Sequence, residues 1–151
     1  MRILLINGPN LNLLGSREPE VYGHDTLEDI VGRVNERAGA LGVEVVAFQS
    51  NHEGAIIDFV QAQSPGADGI VINPGALTHY GLSLRDALAA CRLPIVEVHI
   101  SNIYTRETFR RRSVTAEVST GVISGLGWRG YLLALEAVVG LCKAKGSGGS
   151  S

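Results

Sequence analysis

The stretch Ile3-Leu4-Leu5-Ile6-Asn7-Gly8-Pro9-Asn10 is an apolar run that stops abruptly at small and polar residues. Two later stretches repeat the pattern: Gly69–Ile72 leads into Asn73-Pro74-Gly75, and Ile95–Val98 leads into His99-Ile100-Ser101. Buried parallel strands are typically Val, Ile and Leu runs of this kind. In open α/β sheets, ligands bind beyond the carboxyl ends of the strands. The three exits therefore predict one crevice lined by amides, hydroxyls and an imidazole.

The segments between these strands have the periodicity of helices. Apolar residues from Leu27 to Leu41 recur at helical spacing, with Thr26 placed as the N-cap and Gly42 as the glycine that ends the helix. The other predicted elements, in chain order, are a strand at Val43–Phe48, a helix through Ile56 and Val60 that ends before Pro65, a helix near Leu82–Ala90, a helical turn near Arg106–Phe109, a strand near Thr120–Ser124 and a closing helix from about Tyr131 to Lys143.

Strands that alternate with helices predict an α/β fold in which right-handed crossovers build a parallel sheet with helices on both faces. Five strands favour the flavodoxin-like, doubly wound order 2-1-3-4-5. In that order the exits at Asn7 and Asn73 lie beside the switch point of the sheet. Residues 1–145 are predicted to form a single catalytic domain, and the Gly- and Ser-rich residues 146–151 a flexible tail.

Composition limits the function classes. A chain of 151 residues with 45% hydrophobic and 19% charged residues fits one globular domain. A net charge of -2 argues against a broad nucleic-acid surface, although Arg110-Arg111-Arg112 is a local basic point. Cys91 and Cys142 form no CxxC pair, so both are predicted to be buried small side chains in a cytoplasmic protein. No apolar stretch approaches the ~20 residues of a membrane helix.

Several kinds of catalysis are excluded by missing residues. The lysines are Lys143 and Lys145, at the end of the last helix and just before the tail, so Schiff-base chemistry is not expected. The histidines lack metal-ligand spacing, which predicts no metal and no cofactor. The loop from Gly8 to Gly15 lacks the phosphate-binding patterns, and Ser124 lies in GVISG rather than in a nucleophile elbow.

Acid and base chemistry by Tyr22 and His99 remains. Tyr22 lies in a loop, from Asn7 to Asp25, that is longer than usual for such a connection and is predicted to act as a lid. A nearby guanidinium favours a phenolate, and Arg17 in the same loop, or Arg106 or Arg110 from the His99 side, can supply it. The alternative is a loop tyrosine that only packs by its ring.

The second candidate, His99, ends a buried strand. Alternation puts Glu97 on the same face, so this carboxylate or a carbonyl is expected to fix the imidazole tautomer. The alternative is a polar core residue with no chemical role. His79, which follows the Asn73 exit, can hydrogen-bond a ligand hydroxyl, while Asn51 after the second strand is assigned no role.

Together these segments resemble the type II 3-dehydroquinate dehydratases of the shikimate pathway, over nearly the whole chain before the tail. The matching segments are residues 6–15, Arg17-Glu18-Pro19 with Tyr22-Gly23, Asn73-Pro74-Gly75-Ala76 with Thr78-His79, Leu84-Arg85-Asp86-Ala87, Glu97-Val98-His99-Ile100-Ser101-Asn102, and Arg106-Glu107 with Phe109-Arg110. The resemblance implies an anti elimination of water from 3-dehydroquinate, through an enolate, to give 3-dehydroshikimate.

The resemblance also implies residue roles. Tyr22 is the base that removes the C2 proton, Arg17 stabilises its charged state, and His99 is the acid that protonates the departing C1 hydroxyl. Asn10, through a bound water, stabilises the enolate oxygen. The implied substrate-binding groups are the backbone amides of Ile100 and Ser101 and the side chains of Asn73, His79 and Arg110.

The resemblance further implies an oligomer, because Asp86 matches a residue that reaches into a neighbouring subunit's site and the family assembles as a dodecamer of trimers. The chain departs from the family at Leu77, Tyr80 and Gly81, which bears on positioning near His79. Two other functions stay open: a flavodoxin-like module that binds FMN or a nucleotide, and an inactive relative kept as a structural oligomer. An active enzyme would serve aromatic amino acid biosynthesis or quinate breakdown, since both use this step.

Overall fold

The computed structural model describes residues 1–16 and 18–148. Within these ranges the strands are β1 (Arg2–Asn7), β2 (Glu44–Gln49), β3 (Gly69–Asn73), β4 (Ile95–His99) and β5 (Gly121–Ser124). The helices are α1 (Pro19–Tyr22), α2 (Leu27–Leu41), α3 (Glu53–Gln63), α4 (Leu82–Cys91) and α5 (Arg129–Gly148). Short 3₁₀ turns follow β1, β3 and β4, at Leu11–Leu13, Gly75–His79 and Ile103–Thr105.

All strand pairs are parallel and the order is β2-β1-β3-β4-β5, which confirms the predicted fold class. The register aligns Asn7 with Asn73 across β1 and β3. It also aligns His99 with Ser124 across β4 and β5. The polar residues that end the central strands therefore lie along one edge of the sheet.

Helices cover both faces of the sheet, and each face has its own apolar core. On one face, residues such as Leu5 and Val71 pack against α2 and α5. On the other, residues such as Ile6 and Ile72 pack against α3 and α4. β1, β3 and β4 are buried on both faces, so they are continuous apolar runs in the sequence rather than alternating ones.

The ends of α2 follow the predicted local chemistry. The Thr26 hydroxyl accepts a hydrogen bond from the backbone N–H of Asp29 (3.1 Å), and the Asp29 carboxylate accepts one from the N–H of Thr26 (3.0 Å). These bonds form a capping box. Hydrogen bonding with Thr26, first through its backbone and then through its side chain, lowers the pKa of the Asp29 carboxyl. Gly42 ends the helix at φ 71°, in the left-handed region that favours glycine.

The bounds predicted for the last helix need correction. The last helix was expected over residues 131–143, yet α5 runs from Arg129 to Gly148. The Ser147 hydroxyl donates to the Lys143 carbonyl (3.1 Å), and glycine in a helix costs only about 1 kcal/mol relative to alanine. α5 thus includes residues 146–148 of the Gly- and Ser-rich segment. Residues 149–151 lie outside the described residues.

The cysteines were expected to be buried, and both are only partly so. Cys91 is in the last turn of α4, where its thiol lies 3.0 Å from the Leu88 carbonyl. Cys142 lies on α5 with its Sγ 3.2 Å from the Asp68 carbonyl. Partial burial, followed by the negative charge of Asp68, raises the pKa of the Cys142 thiol. Among the described residues, no helix is both long and apolar enough to cross a membrane.

Candidate active site

The floor of the site is the close contact between the segments that follow β1 and β3. The Gly8 N–H donates to the Asn73 carbonyl (2.8 Å). A Cβ at Gly8 would lie 2.3 Å from the Pro74 carbonyl oxygen, so only glycine permits this approach. Gly75 has φ 59°, and a Cβ there would lie 2.9 Å from the Pro9 carbonyl oxygen.

A pocket opens above this floor, as the strand exits predict. Its lining residues are Pro9, Asn10, Leu11, Tyr22, Asn73, Gly75, Ala76, His79, His99, Ile100, Ser101, Ile103, Arg106 and Arg110. The structure thus brings most of the predicted site residues together. Glu97 lies behind His99, Asp86 lies elsewhere on the surface, and Arg17 lies outside the described residues.

Tyr22 closes one side of the pocket. It is the last residue of α1, a single turn formed within the long loop between Asn7 and Asp25. Arg106 Nη1 donates to the Tyr22 hydroxyl (2.8 Å), and the guanidinium carbon lies 5.3 Å from the centre of the Tyr22 ring. The same nitrogen lies 3.4 Å from Ser101 Oγ, and Nη2 lies 3.9 Å from the Glu18 carboxylate. A phenolate at Tyr22 would therefore lie in contact with a positive charge.

Sequence reasoning left open which arginine reaches Tyr22 from the His99 side. Arg106 does so, whereas Arg110 pairs with Glu107 and stacks over Phe109 with 4.9 Å between guanidinium carbon and ring centre. The hydrogen bond from Arg110 lowers the pKa of the Glu107 carboxyl. Both arginines line the pocket, and of these two Arg106 is the one that donates a hydrogen bond to the phenol.

His99 lies two residues after its predicted partner, on the same face of β4. Its Nε2 is 2.7 Å from Glu97 Oε2, and Glu97 is fully buried. An ionised carboxylate can only accept, so Nε2 carries a hydrogen and Nδ1 is the ring nitrogen left for the pocket. The predicted i, i+2 pairing on one strand face is confirmed.

Three hydroxyl groups surround the buried Glu97 carboxylate, and sequence reasoning missed them. Thr78 Oγ1 and Ser113 Oγ each donate to Oε2 at 3.0 Å, and Thr115 Oγ1 donates to Oε1. Burial alone would raise the pKa of Glu97. The hydrogen bond and charge of His99, together with the hydroxyls of Thr115 and Ser113, instead hold that pKa below its ordinary value. In the sequence, the i, i+2 spacing of Ser113 and Thr115 was the pattern that could have indicated two hydroxyl groups on one side of the chain.

Asn10 extends from the left-handed turn that follows β1, with φ 67°. Its backbone N–H donates to Asn51 Oδ1 (2.9 Å), and Gln49 Nε2 donates to the same oxygen (3.2 Å) and to the Gly8 carbonyl (3.2 Å). Asn51, which was assigned no role, therefore anchors the turn that presents Asn10 to the pocket. Asn51, which fixes this turn, follows the carboxyl end of β2.

Asn73 and His79 form a further wall, and each has a fixed partner. Asn73 Nδ2 donates to the buried Tyr131 hydroxyl (2.8 Å), and its Oδ1 accepts from the Gly75 N–H (3.1 Å). His79 Nδ1 lies 2.8 Å from the Arg112 carbonyl. The sequence analysis predicted Tyr131 as the start of the last helix and gave it no role at the site.

Asp86 does not join this pocket within its own chain. Its side chain is 76% exposed on α4, and its carboxylate lies 3.4 Å from Arg85 Nη1. Arg85 also contacts Glu117 (3.3 Å). In the part of the chain that the structure describes, no three His, Cys, Asp or Glu side chains cluster so that they could hold a metal ion.

Comparison with known proteins gives this geometry a family. A family model described as "Dehydroquinase class II" matches residues 1–139. The chain belongs to the class II dehydroquinases. This assignment confirms the resemblance seen in the sequence, and it favours a dehydratase over the alternative of a module that binds FMN or a nucleotide. As a class II dehydroquinase, the chain is an enzyme of the hydro-lyase type.

Curated relatives and solved structures agree with the family. This class II dehydroquinase is 65% identical over 140 residues to a 3-dehydroquinate dehydratase of Roseiflexus castenholzii, covering 93% of this chain and 89% of the relative. It is 62% identical over 146 residues to one of Halothermothrix orenii, covering 97% and 98%. A crystal structure of a type II dehydroquinase from Butyrivibrio crossotus superposes with a TM-score of 0.90 at 51% identity, over 91% of this chain and 97% of that one.

Proposed function

We propose that this class II dehydroquinase eliminates water from 3-dehydroquinate in the anti sense, through an enolate, to give 3-dehydroshikimate. The observation that carries the proposal is one pocket that holds both a phenol bound by Arg106 and an imidazole bound by Glu97. A base and an acid, each with a charged partner that favours its reactive form, are what a proton-abstracting elimination needs.

Tyr22 is the base in this proposal. Its phenolate takes the proton from C2, and the electron pair of the C2–H bond moves toward the C3 carbonyl to form the enolate. The Arg106 guanidinium stabilises the phenolate by hydrogen bond and charge, and Arg17 is proposed to act with it. Asn10, through a water, stabilises the negative enolate oxygen.

His99 is the acid that completes the elimination. Its imidazolium keeps the Nε2 hydrogen in a hydrogen bond to the Glu97 carboxylate and donates the Nδ1 hydrogen to the C1 hydroxyl. The C1–O bond then breaks and its electron pair leaves with water, while the enolate electrons form the C1–C2 double bond conjugated with the ketone. The buried Glu97 anion compensates the imidazolium charge before transfer.

The remaining pocket residues hold the substrate. The backbone amides of Ile100 and Ser101 bind its carboxylate, and Asn73, His79 and Arg110 bind the carboxylate and hydroxyl groups. The supporting observation is that all five residues line the same pocket as Tyr22 and His99. The departures at Tyr80 and Gly81 leave the contact between His79 and Arg112 in place.

The proposal includes an assembly. Asp86 is exposed on α4 and is available to enter the site of a neighbouring copy, as expected for a dodecamer of trimers in the cytoplasm. Mixing two inactive variants tests this arrangement. Asp86→Ala and Tyr22→Phe subunits, unfolded and refolded together, should regain activity, because some sites then combine an intact Tyr22 with an intact Asp86. No recovery in mixed oligomers of wild-type size would refute the shared site.

The direct test follows the ultraviolet absorbance of the conjugated enone after 3-dehydroquinate is added to the purified protein. We expect turnover by the wild type and loss of turnover in Tyr22→Phe and His99→Ala, with both variants folded. An intact oligomer that forms no enone would be an inactive relative, which would overturn the proposal. Full activity in Tyr22→Phe would overturn the role of the base.

A further inference from the structure

The Tyr131 hydroxyl, at the start of α5, links the ends of two neighbouring strands. It donates to Asn7 Oδ1 (2.7 Å) and accepts from Asn73 Nδ2 (2.8 Å). Asn7, Asn73 and Tyr131 are 1%, 3% and 0% exposed, so no bulk water replaces these bonds. Burial also raises the pKa of Tyr131, which keeps the phenol a neutral donor over the working pH range.

The hydrogens in this cluster fit only one arrangement. The Gly75 N–H is a donor, so the atom of Asn73 that faces it is Oδ1 and the atom that faces Tyr131 is Nδ2. A phenol has one hydrogen, which goes to Asn7 Oδ1, and its oxygen accepts from Asn73. The Asn73 amide is therefore held at both ends, by a backbone N–H and by the phenol.

This arrangement sets what the pocket wall presents to a ligand. One Nδ2 hydrogen of Asn73 is bound to Tyr131, which leaves the second as its side-chain donor for a ligand. A carbonyl can only accept, so His79 Nδ1 carries a hydrogen toward Arg112, and Nε2 of the neutral ring is an acceptor. A wall with one donor and one acceptor suits a hydroxyl group, which accepts and donates at once.

We propose that Tyr131 is a positioning residue, whose hydroxyl holds the Asn73 amide with an N–H donor toward the pocket, so that the Asn73 and His79 wall binds a substrate hydroxyl. This inference rests on the proposed function, because the substrate is a hydroxylated ring. Tyr131 contacts no reacting atom and does not line the pocket. Its effect belongs to substrate binding rather than to the elimination step.

Tyr131→Phe removes the hydroxyl and keeps the ring. We expect KM for 3-dehydroquinate to rise about 3- to 10-fold, which is the scale of one hydrogen bond, with kcat within about twofold of the wild type. The matched control is Tyr104→Phe, which deletes the hydroxyl of a tyrosine that is 53% exposed and should leave both constants unchanged. A folded Tyr131→Phe with wild-type KM would overturn the inference.

A second pair of variants decides the matter where Tyr131→Phe fails to fold. Asn7 does not line the pocket, yet it takes the Tyr131 hydrogen. Asn7→Leu removes that acceptor and frees the phenol to compete for Asn73 Oδ1, so KM should rise. Asn7→Asp keeps an acceptor oxygen and should restore KM toward the wild-type value. Equal KM values in these two variants would refute the positioning role.

The wild-type arm separates this inference from the proposed function. If the wild type forms no enone from 3-dehydroquinate, the proposed function fails before any variant is compared. If the wild type turns over and the variants at Tyr131 and Asn7 match it in KM, only the positioning role fails.

Discussion

Arg106 and Tyr22, 84 residues apart in the chain, are joined by a 2.8 Å hydrogen bond across the mouth of the pocket. The arginine side chain is 16% exposed, so water screens the contact less than it would on an open surface. The loop between β1 and α2 and the turn after β4 are therefore held together by the group that is proposed to act as the base.

Arg106→Met should lower kcat about 10- to 100-fold, because hydrogen bonds to charged groups are worth about 1.5–3 kcal/mol. The substitution keeps an unbranched stem and removes the positive charge. Arg111→Met is the matched control, since Arg111 is exposed and outside the pocket lining. The enone assay measures both, and equal kcat values in the two variants would remove Arg106 from the mechanism.

Glu97 should make the protein less stable at acid pH. Its pKa is lower in the folded state than the ordinary 4.5, so its contribution is present above that value and is lost as pH falls through the folded-state pKa. Glu97→Gln should lower Tm at neutral pH and make the fall in Tm below about pH 4.5 shallower. Thermal unfolding across pH measures this. An unchanged acid slope, relative to the exposed control Glu117→Gln, would contradict it.

The Thr115 hydroxyl should stabilise the fold through the buried carboxylate. Thr115→Val has nearly the same shape but leaves Glu97 Oε1 without this donor, so we expect a loss of about 1–3 kcal/mol in the free energy of unfolding. Thr115→Ser keeps the hydroxyl and should lose less. Denaturant unfolding compares the two, and a valine variant at least as stable as the serine variant would speak against the hydroxyl bond.

Asn51 should affect catalysis without touching the substrate. Asn51→Ala removes the acceptor that holds the Asn10 N–H, so we expect kcat to fall about 3- to 10-fold with little change in Tm. Asn51→Asp retains an acceptor oxygen and serves as the control. The anchoring role would be wrong if the alanine variant kept wild-type kcat.

The sequence predicted the fold almost entirely, because each element carries a local signal. The β1 and β3 runs, the Thr26 N-cap and the glycine at position 42 all act within a few residues. Pairing of Glu97 with His99 was predictable for the same reason, since two residues on one strand share a face. The strand exits then predicted where the pocket forms.

Contacts between distant segments were not predictable in this way. Tyr131 lies 124 residues from Asn7, and no local pattern shows that its hydroxyl ends between two strand exits. The choice of Arg106 over Arg110 depends on how a 3₁₀ turn follows β4, which spacing alone does not determine. The expected burial of the cysteines was wrong, because helix periodicity does not show how completely neighbouring elements cover a helix.

The near-contact between Gly8 and Pro74 has a consequence for how this enzyme tolerates sequence change. Even an alanine at position 8 would push the two segments apart, and Asn10 after β1 and Asn73 at the end of β3 would move with them. A methyl group remote from any reacting atom should thus lower turnover by widening the gap between the binding groups. The identity of residue 8 therefore matters to turnover although none of its atoms takes part in the chemistry.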